Sequence, residues 1–177
     1  MSGHVDVFCG RENFSVSEDE IAAVIACLRR SAPWEFPAGT LSVAFLGDDE
    51  ICRMHEEFLS DPSKTDVITF PGDDVFSAPR LRSTAGTGAQ DNLEPDEDSF
   101  AGEVCVCVDQ ALRVAKELKI APADELLLYL VHGWLHLAGL DDIEESDRRA
   151  MREAEALVLD LLRENGLNPL RSTVFPQ

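Results

Sequence analysis

Two histidines four residues apart are the side chains best suited to chemistry in this sequence. The stretch VHGWLHLAGLDD places His132 and His136 one helical turn apart, so both imidazoles lie on one helix face and can share a metal ion. Gly139 then ends the helix, and the chain can turn back to offer Asp141 or Asp142 as a third ligand. This spacing predicts a metal centre able to activate water for hydrolysis.

Other interpretations of the histidine pair are weaker. Each histidine could be a core residue hydrogen-bonded to a carbonyl, but two buried imidazoles without partners are costly and a metal would supply those partners. Gly133 stands where zinc peptidases carry the glutamate that acts as general base, which disfavours a peptidase. An iron site of the oxygenase type ranks low, because the two histidines and carboxylate of such sites usually come from strands.

The net charge of the chain limits the kinds of molecule that the protein can bind. The chain has 177 residues, with 34 acidic and 15 basic side chains and a formal net charge of −19. A surface of this sign repels phosphates, which excludes a general, non-specific nucleic-acid binder. Only nine Phe, two Trp and one Tyr are present, so a broad stacking platform for bases is excluded as well. An RNA partner would need a local positive centre, such as a metal ion or a few arginines, to overcome this charge.

The N-terminal residues and the cysteines indicate a cytoplasmic protein. No apolar signal segment is visible at the N-terminus, and the five cysteines contain no CxxC pair. The longest apolar run, residues 126–140, contains two histidines and is shorter than the roughly 20 residues that a membrane span needs. Reduced thiols and no membrane association are expected.

The residue pattern predicts a single α/β domain over residues 1–177, with one mixed sheet of about four strands packed by about five helices. Strands are predicted at residues 5–9, 41–46, 65–70 and 103–108, and helices after Ser17, after Gly47 and at residues 110–118, 123–138 and 144–164. The helix at 123–138 is apolar nearly all round and should be buried centrally. Asp109 is expected to cap the helix at 110–118, and Phe58 and Leu157 are expected to face inward.

Residues 73–100 differ from the rest of the chain. They contain seven acidic residues, two arginines and many Gly, Ser, Thr, Pro and Ala residues, without periodicity. Such a composition cannot bury much apolar surface and is typical of a long loop. The segment is therefore predicted to be an acidic flexible insertion.

Three separate blocks of this sequence resemble the YbeY family of bacterial rRNA-maturation endoribonucleases. HGWLHLAGLDD at residues 132–142 is similar to the family's H-G-x-L-H-L-x-G-Y-D-H, KTDVITFP at 64–71 to P-T-D-V-L-S-F-P, and GEVCV at 102–106 to G-D-I-x-I. The resemblance implies an α/β domain with one zinc ion. It also implies a single-strand-specific endoribonuclease that matures the 3′ end of small-subunit rRNA and serves ribosome quality control.

Two departures from the family pattern bear on the chemistry. Asp142 stands where the family has its third histidine ligand, so the resemblance implies zinc on His132, His136 and Asp142. A carboxylate ligand lowers the charge of the centre by one unit and weakens its attraction for phosphate. The family's arginine, thought to assist at the phosphate, is replaced by Leu59. Catalysis then needs another cation to take the place of this arginine at the phosphate.

The remaining candidate catalytic residues are Lys64, Asp66 and Glu103. Lys64 directly precedes Thr65 and is nominated as the substitute cation, although a solvated lysine at a strand edge is the simpler interpretation. Asp66 and Glu103 belong to strands that should flank the metal helix. Each could orient a ligand histidine through its second ring nitrogen or pair with a surface base. The alternative function is a non-catalytic ribosome-assembly factor with a structural metal, which would bind rRNA or a ribosomal protein.

Overall fold

A computed structural model describes residues 4–61, 63–73, 76, 78–82, 99–167 and 170–176. The elements in chain order are β1 (Val5–Cys9), α1 (Glu18–Ser31), β2 (Thr40–Leu46), α2 (Asp48–Leu59), β3 (Val67–Pro71), β4 (Phe100–Cys107), α3 (Val108–Leu118), α4 (Pro122–Leu137) and α5 (Glu145–Glu164). None of the described helices is long and apolar enough to cross a membrane.

The strands form one mixed sheet in the order β1-β2-β4-β3. Strands β1, β2 and β4 run parallel, and β3 runs antiparallel to β4 at one edge. The predicted α/β fold with four strands and five helices is thereby confirmed. Helices α1 and α4 pack on one face of the sheet, α2 packs on the other, and α5 packs against α1 and α4.

The two faces of the sheet have different cores because successive side chains in a strand alternate. Val104 and Val106 of β4 join the large core shared with α1, α4 and α5. Cys105 and Cys107 face the other way and join the smaller core under Ile51 of α2. Burial raises the pKa of each of these two thiols to about 12. Both cysteines therefore serve as small apolar core residues.

Helix α4 lies in the centre of the domain, as predicted. Pro122 occupies its first turn, where a missing N–H group is harmless, and Trp134 is fully buried and stacks on Phe36 with ring centroids 4.9 Å apart. A Cβ atom at Gly133 would lie 2.5 Å from Cγ1 of Val104. Glycine at this position therefore lets α4 pack close to the sheet, and no glutamate could be accommodated there.

Asp109 caps a different helix from the predicted one. The N-terminus of α3 has no side-chain cap, whereas Oδ2 of Asp109 accepts a hydrogen bond from the backbone N–H of Asp48, the first residue of α2, at 3.0 Å. Its other oxygen accepts from Nε of Arg11 at 2.9 Å. The prediction was wrong because the cap comes from a helix that lies close in space and distant in sequence.

Replacing Asp109 by alanine is expected to lower the free energy of unfolding by about 1–2 kcal/mol, the usual effect of losing a helix cap. The backbone N–H of Asp48 loses its acceptor and the Arg11 guanidinium loses its ion pair. Chemical denaturation would measure the loss, with Glu117→Ala on the exposed face of α3 as the control. An equal loss in both variants would contradict the assigned cap.

Three further boundaries or faces differ from the predictions. Phe58 is 59% exposed and Leu157 is 49% exposed. Phe58 lies in the last turn of α2, where its ring packs edge-on against the Phe70 ring. The inner face of α5 is formed by Met151, Ala154, Val158 and Leu162. Strand β4 begins at Phe100 rather than residue 103. Most of the predicted flexible insertion, residues 83–98, lies outside the described residues.

Candidate metal centre

His132, His136 and Asp142 converge at the end of α4. Nε2 of His132 lies 2.9 Å from Nε2 of His136. The carboxylate oxygens of Asp142 lie 3.7 Å from the first of these nitrogens and 3.8 Å from the second. All three donor atoms lie within 4.8 Å of one another, so the group can hold a metal ion. The three residues that were predicted as ligands from the sequence therefore lie close together in the structure.

The second nitrogen of each imidazole has its own acceptor. Nδ1 of His132 lies 2.6 Å from Oε1 of Glu155, and Nδ1 of His136 lies 3.0 Å from the backbone oxygen of Leu140. Carboxylate and carbonyl oxygens only accept hydrogen bonds, so each Nδ1 carries the ring hydrogen. When both rings are neutral, Nε2 of His132 and Nε2 of His136 therefore direct their lone pairs at each other.

The donor set therefore fits a cation. When both rings are neutral, two nitrogen lone pairs and a carboxylate face one another, an arrangement that either a proton on one Nε2 or a metal ion would stabilise. Nitrogens bound to one tetrahedral zinc ion lie about 3.3 Å apart, so the 2.9 Å separation needs only a small adjustment. Mutual repulsion of the donor atoms would be relieved by a bound metal ion.

Nearby carboxylates make the site favourable for positive charge. Burial works to lower the pKa of His132, but the hydrogen bond and charge of Glu155, with smaller effects of Asp66 and Asp142, outweigh it and raise that pKa above its ordinary value. The same carboxylates stabilise a metal ion at Nε2. Protons and metal ions should therefore compete for this nitrogen.

Metal affinity is expected to fall as the pH decreases through the raised pKa of His132. Only the ring without a proton on Nε2 can bind metal, and a raised pKa means that proton competition begins at a higher pH than for an ordinary histidine. Zinc competition with a colorimetric chelator, repeated from mildly alkaline to mildly acidic pH, measures the decline. Affinity that is constant across this range would contradict the assigned ligand.

The turn after α4 determines where the third ligand lies. Gly139 has a φ of +94°, and its N–H donates to the His136 oxygen at 2.9 Å. The N–H of Leu140 donates to the Leu135 oxygen at 3.0 Å. Together they close the helix end and leave the Leu140 carbonyl facing His136.

The two neighbouring carboxylates have different roles. Oδ1 of Asp141 accepts a hydrogen bond from the N–H of Asp142 at 2.7 Å, so Asp141 acts as a turn residue. Arg148 adds a contact from α5, where its guanidinium donates to the backbone oxygens of Asp142 at 3.4 Å and Ile143 at 2.5 Å. Asp142 is thereby left as the carboxylate that faces the histidines.

Asp66 and Glu103 do not contact either histidine ring in the described hydrogen bonds. Oδ1 of Asp66 accepts from the N–H of Val67 at 2.9 Å, although its charge does act on His132. Glu103 accepts a hydrogen bond from Oγ of Ser42 at 3.0 Å. It shares the face of β4 that α2 covers, opposite α4, because side chains alternate along a strand. The second ring nitrogen of His132 contacts Glu155 and that of His136 contacts the Leu140 carbonyl, rather than Asp66 or Glu103.

Lys64 contacts an acidic residue at the start of α2. Its Nζ lies 2.6 Å from Oδ2 of Asp48. The same carboxylate accepts two hydrogen bonds from Arg113, one at Oδ2 at 2.6 Å and one at Oδ1 at 2.8 Å. The guanidinium of Arg113, together with Lys64, holds the pKa of Asp48 far below its usual range. The structure thus engages Lys64 in an ion pair with Asp48.

Glu155 is the functional residue that sequence reasoning missed. It lies on α5, 23 residues from His132, in a helix rich in charged side chains. Its position beside the buried Ala154 was the available signal, because a carboxylate at the border of an inner face can reach a neighbouring helix.

The fold and the cluster define an α/β protein with a candidate metal centre of two histidines and one carboxylate on a buried helix. The family model described as Endoribonuclease YbeY matches residues 10–163, and the chain belongs to this family. The resemblance noted in the sequence is confirmed, and membership places the chain among proteins described as endoribonucleases.

Several relatives bear the same name, Endoribonuclease YbeY. The protein of Protochlamydia amoebophila is 34% identical over 118 residues, which cover 65% of this chain and 65% of that protein, slightly less than two thirds of its length. The protein of Chlamydia caviae is 31% identical over 145 residues, covering 80% of this chain and 78% of its own. A solution structure of TM1509 from Thermotoga maritima has a TM-score of 0.54 at 21% identity over 93% of each chain, a likeness that concerns the fold alone.

Proposed function

We propose that this protein is a zinc-dependent endoribonuclease that cuts single-stranded RNA during maturation of the 3′ end of small-subunit rRNA in the cytoplasm and serves ribosome quality control. The observation that carries the proposal is the convergence of the Nε2 atoms of His132 and His136 with the Asp142 carboxylate, all within 4.8 Å of one another. Relatives named as endoribonucleases support RNA as the substrate.

Zinc bound by His132, His136 and Asp142 would supply a Lewis acid for a phosphate oxygen or an activated water. The protein's own residues prepare that site. Glu155 holds the ring hydrogen of His132 on Nδ1, and the Leu140 carbonyl does the same for His136. Each Nε2 is therefore free to bind the metal ion. The Asp142 carboxylate, less exposed than the neighbouring Asp141, supplies the negative charge.

Three residues remain candidates for roles in catalysis within this proposal. Asp66 is the best placed, because its charge acts on His132. Glu103 and Lys64 would first have to leave Ser42 and Asp48. Leu59, which stands where the resemblance implies an arginine, belongs to the last turn of α2.

An assay on single-stranded RNA tests the proposed activity. The purified full-length protein should cleave the RNA, lose the activity on treatment with a chelator and regain it with zinc. Double-stranded RNA of the same sequence serves as the control substrate. Cleavage that survives both chelation and His136→Ala would come from another site or a contaminant and would contradict the proposal.

The alternative is a ribosome-assembly factor whose metal is structural and which binds rRNA or a basic ribosomal protein. The acidic surroundings of the cluster favour it: Glu155 and Asp66 add negative charge beside Asp142, in a chain of net charge −19. Retained metal and binding to ribosomal subunits, without RNA cleavage, would support this function over the first.

A further inference from the structure

A short segment of the acidic connection between β3 and β4 is docked on the domain. Residues 78–82, called here the docked segment, pair with the chain that follows α1. The N–H of Glu35 donates to the Arg80 oxygen at 2.7 Å, the N–H of Arg82 donates to the Pro33 oxygen at 2.7 Å, and Leu81 forms a β-bridge with Trp34. The segment is therefore fixed to the end of α1 by backbone hydrogen bonds.

Arg82 strengthens this attachment through its side chain. Its guanidinium donates to the backbone oxygens of Arg29 and Arg30, the latter at 2.7 Å, and contacts the Trp34 oxygen at 3.4 Å. The first two oxygens belong to the last turn of α1, where helix carbonyls lack partners and cations are favoured. Arg82 thus acts as a C-terminal cap for α1 supplied by a distant segment.

The other end of the docked segment touches the turn that follows the metal helix. A Cβ atom at Gly139 would lie 2.7 Å from the carbonyl carbon of Ala78 and 3.0 Å from the nitrogen of Pro79. The two backbones are therefore in direct contact. The same turn carries the Leu140 carbonyl that accepts from His136, and it leads into Asp142.

We propose that the docked segment is a buttress for the metal centre and that Arg82 is a positioning residue that acts through it. The segment is attached at α1 by Arg82 and presses on Gly139 through Ala78 and Pro79. It restricts the turn to the arrangement in which Leu140 holds the His136 ring and Asp142 faces both histidines. This inference rests on the metal centre of the proposed function and is independent of whether RNA is cleaved.

Two measurements on the full-length protein test the buttress. The first is hydrogen exchange of the Gly139 and Leu140 amides in metal-free protein, and the second is affinity for cobalt(II), followed by absorbance. Arg82→Ala should speed the exchange and weaken cobalt binding, each by about tenfold. Arg82→Lys keeps one donor for the α1 carbonyls and should give an intermediate effect.

Arg80→Ala is the matched control. It removes the same charge from the same segment, but the Arg80 side chain stacks over Phe76 at 4.8 Å and its backbone bond to Glu35 is retained. This variant should change neither measurement by more than about twofold. Equal effects of Arg80→Ala and Arg82→Ala would overturn the proposal, since net charge alone would then explain them.

A double-mutant cycle separates positioning from general destabilisation. If Arg82 acts by placing Asp142, Arg82→Ala should weaken cobalt binding much less in an Asp142→Asn background than in the wild type. Fully additive losses, or unchanged exchange at Gly139 and Leu140, would overturn the proposal. If the wild-type protein cleaves no RNA but the cobalt-binding losses of Arg82→Ala and Asp142→Asn are non-additive, only the proposed function is contradicted. Neither hydrogen exchange nor cobalt binding uses RNA.

Discussion

Replacing His136 by alanine is expected to weaken zinc binding by more than about 100-fold and to reduce RNA cleavage to background. This loss exceeds the usual effect of removing a residue that only hydrogen-bonds to a metal ligand. The variant removes one of three donor atoms and leaves His132 and Asp142 to hold the ion. Since the His136 side chain is only partly buried, at 24% exposure, the fold should be retained. Titration with zinc in competition with a chelator measures the loss.

His55→Ala is the control for this experiment. His55 lies on α2, and its Nδ1 contacts the backbone oxygen of Ser63 at 2.9 Å, outside the candidate centre. Its removal should leave zinc affinity unchanged. Wild-type zinc affinity in a folded His136→Ala protein, verified by circular dichroism, would show that the metal is bound elsewhere.

Replacing Glu155 by alanine is expected to weaken zinc binding by about 10- to 100-fold although Glu155 is not a ligand. Its Oε1 lies 2.6 Å from Nδ1 of His132, so it holds the ring hydrogen on that nitrogen and keeps Nε2 directed at the metal position. Without it, the ring can rotate or carry its hydrogen on Nε2. Zinc affinity of the purified variant, determined by calorimetry, tests the prediction.

Glu155→Gln shows whether the hydrogen bond to His132 or the negative charge of Glu155 is responsible for the effect on zinc affinity. Glutamine retains an acceptor oxygen on a side chain of equal length, so a loss of less than about tenfold is expected. Glu153→Gln, at an exposed position of the same helix, controls for the change in net charge. If Glu155→Ala and Glu153→Gln bound zinc as tightly as the wild type, the assigned orienting role would be wrong.

The features that sequence analysis predicted correctly are local. The spacing of His132 and His136, the turn at Gly139 and the apolar character of α4 are all properties of neighbouring residues, and helical geometry converts them directly into a shared face. The start of α1 after Ser17 is local as well, since Oγ of Ser17 accepts a hydrogen bond from the Glu20 N–H at 3.3 Å.

The features that the sequence did not reveal depend on contacts between distant segments. Glu155 reaches His132 from another helix, and Asp109 caps α2 across 61 residues. Arg82 reaches α1 across more than 50 residues. No periodicity encodes which of 34 carboxylates will face a given donor, because tertiary packing decides that choice.

The metal content of the protein purified without chelators tests the central claim most directly. We expect one zinc ion per chain by elemental analysis, with the metal content reduced at least about tenfold by Asp142→Ala and much less by Asp141→Ala. That difference follows from the geometry, because Asp142 faces both imidazoles and Asp141 bonds to the backbone of the turn. A wild-type protein that contains no metal and takes up no added zinc would contradict the account.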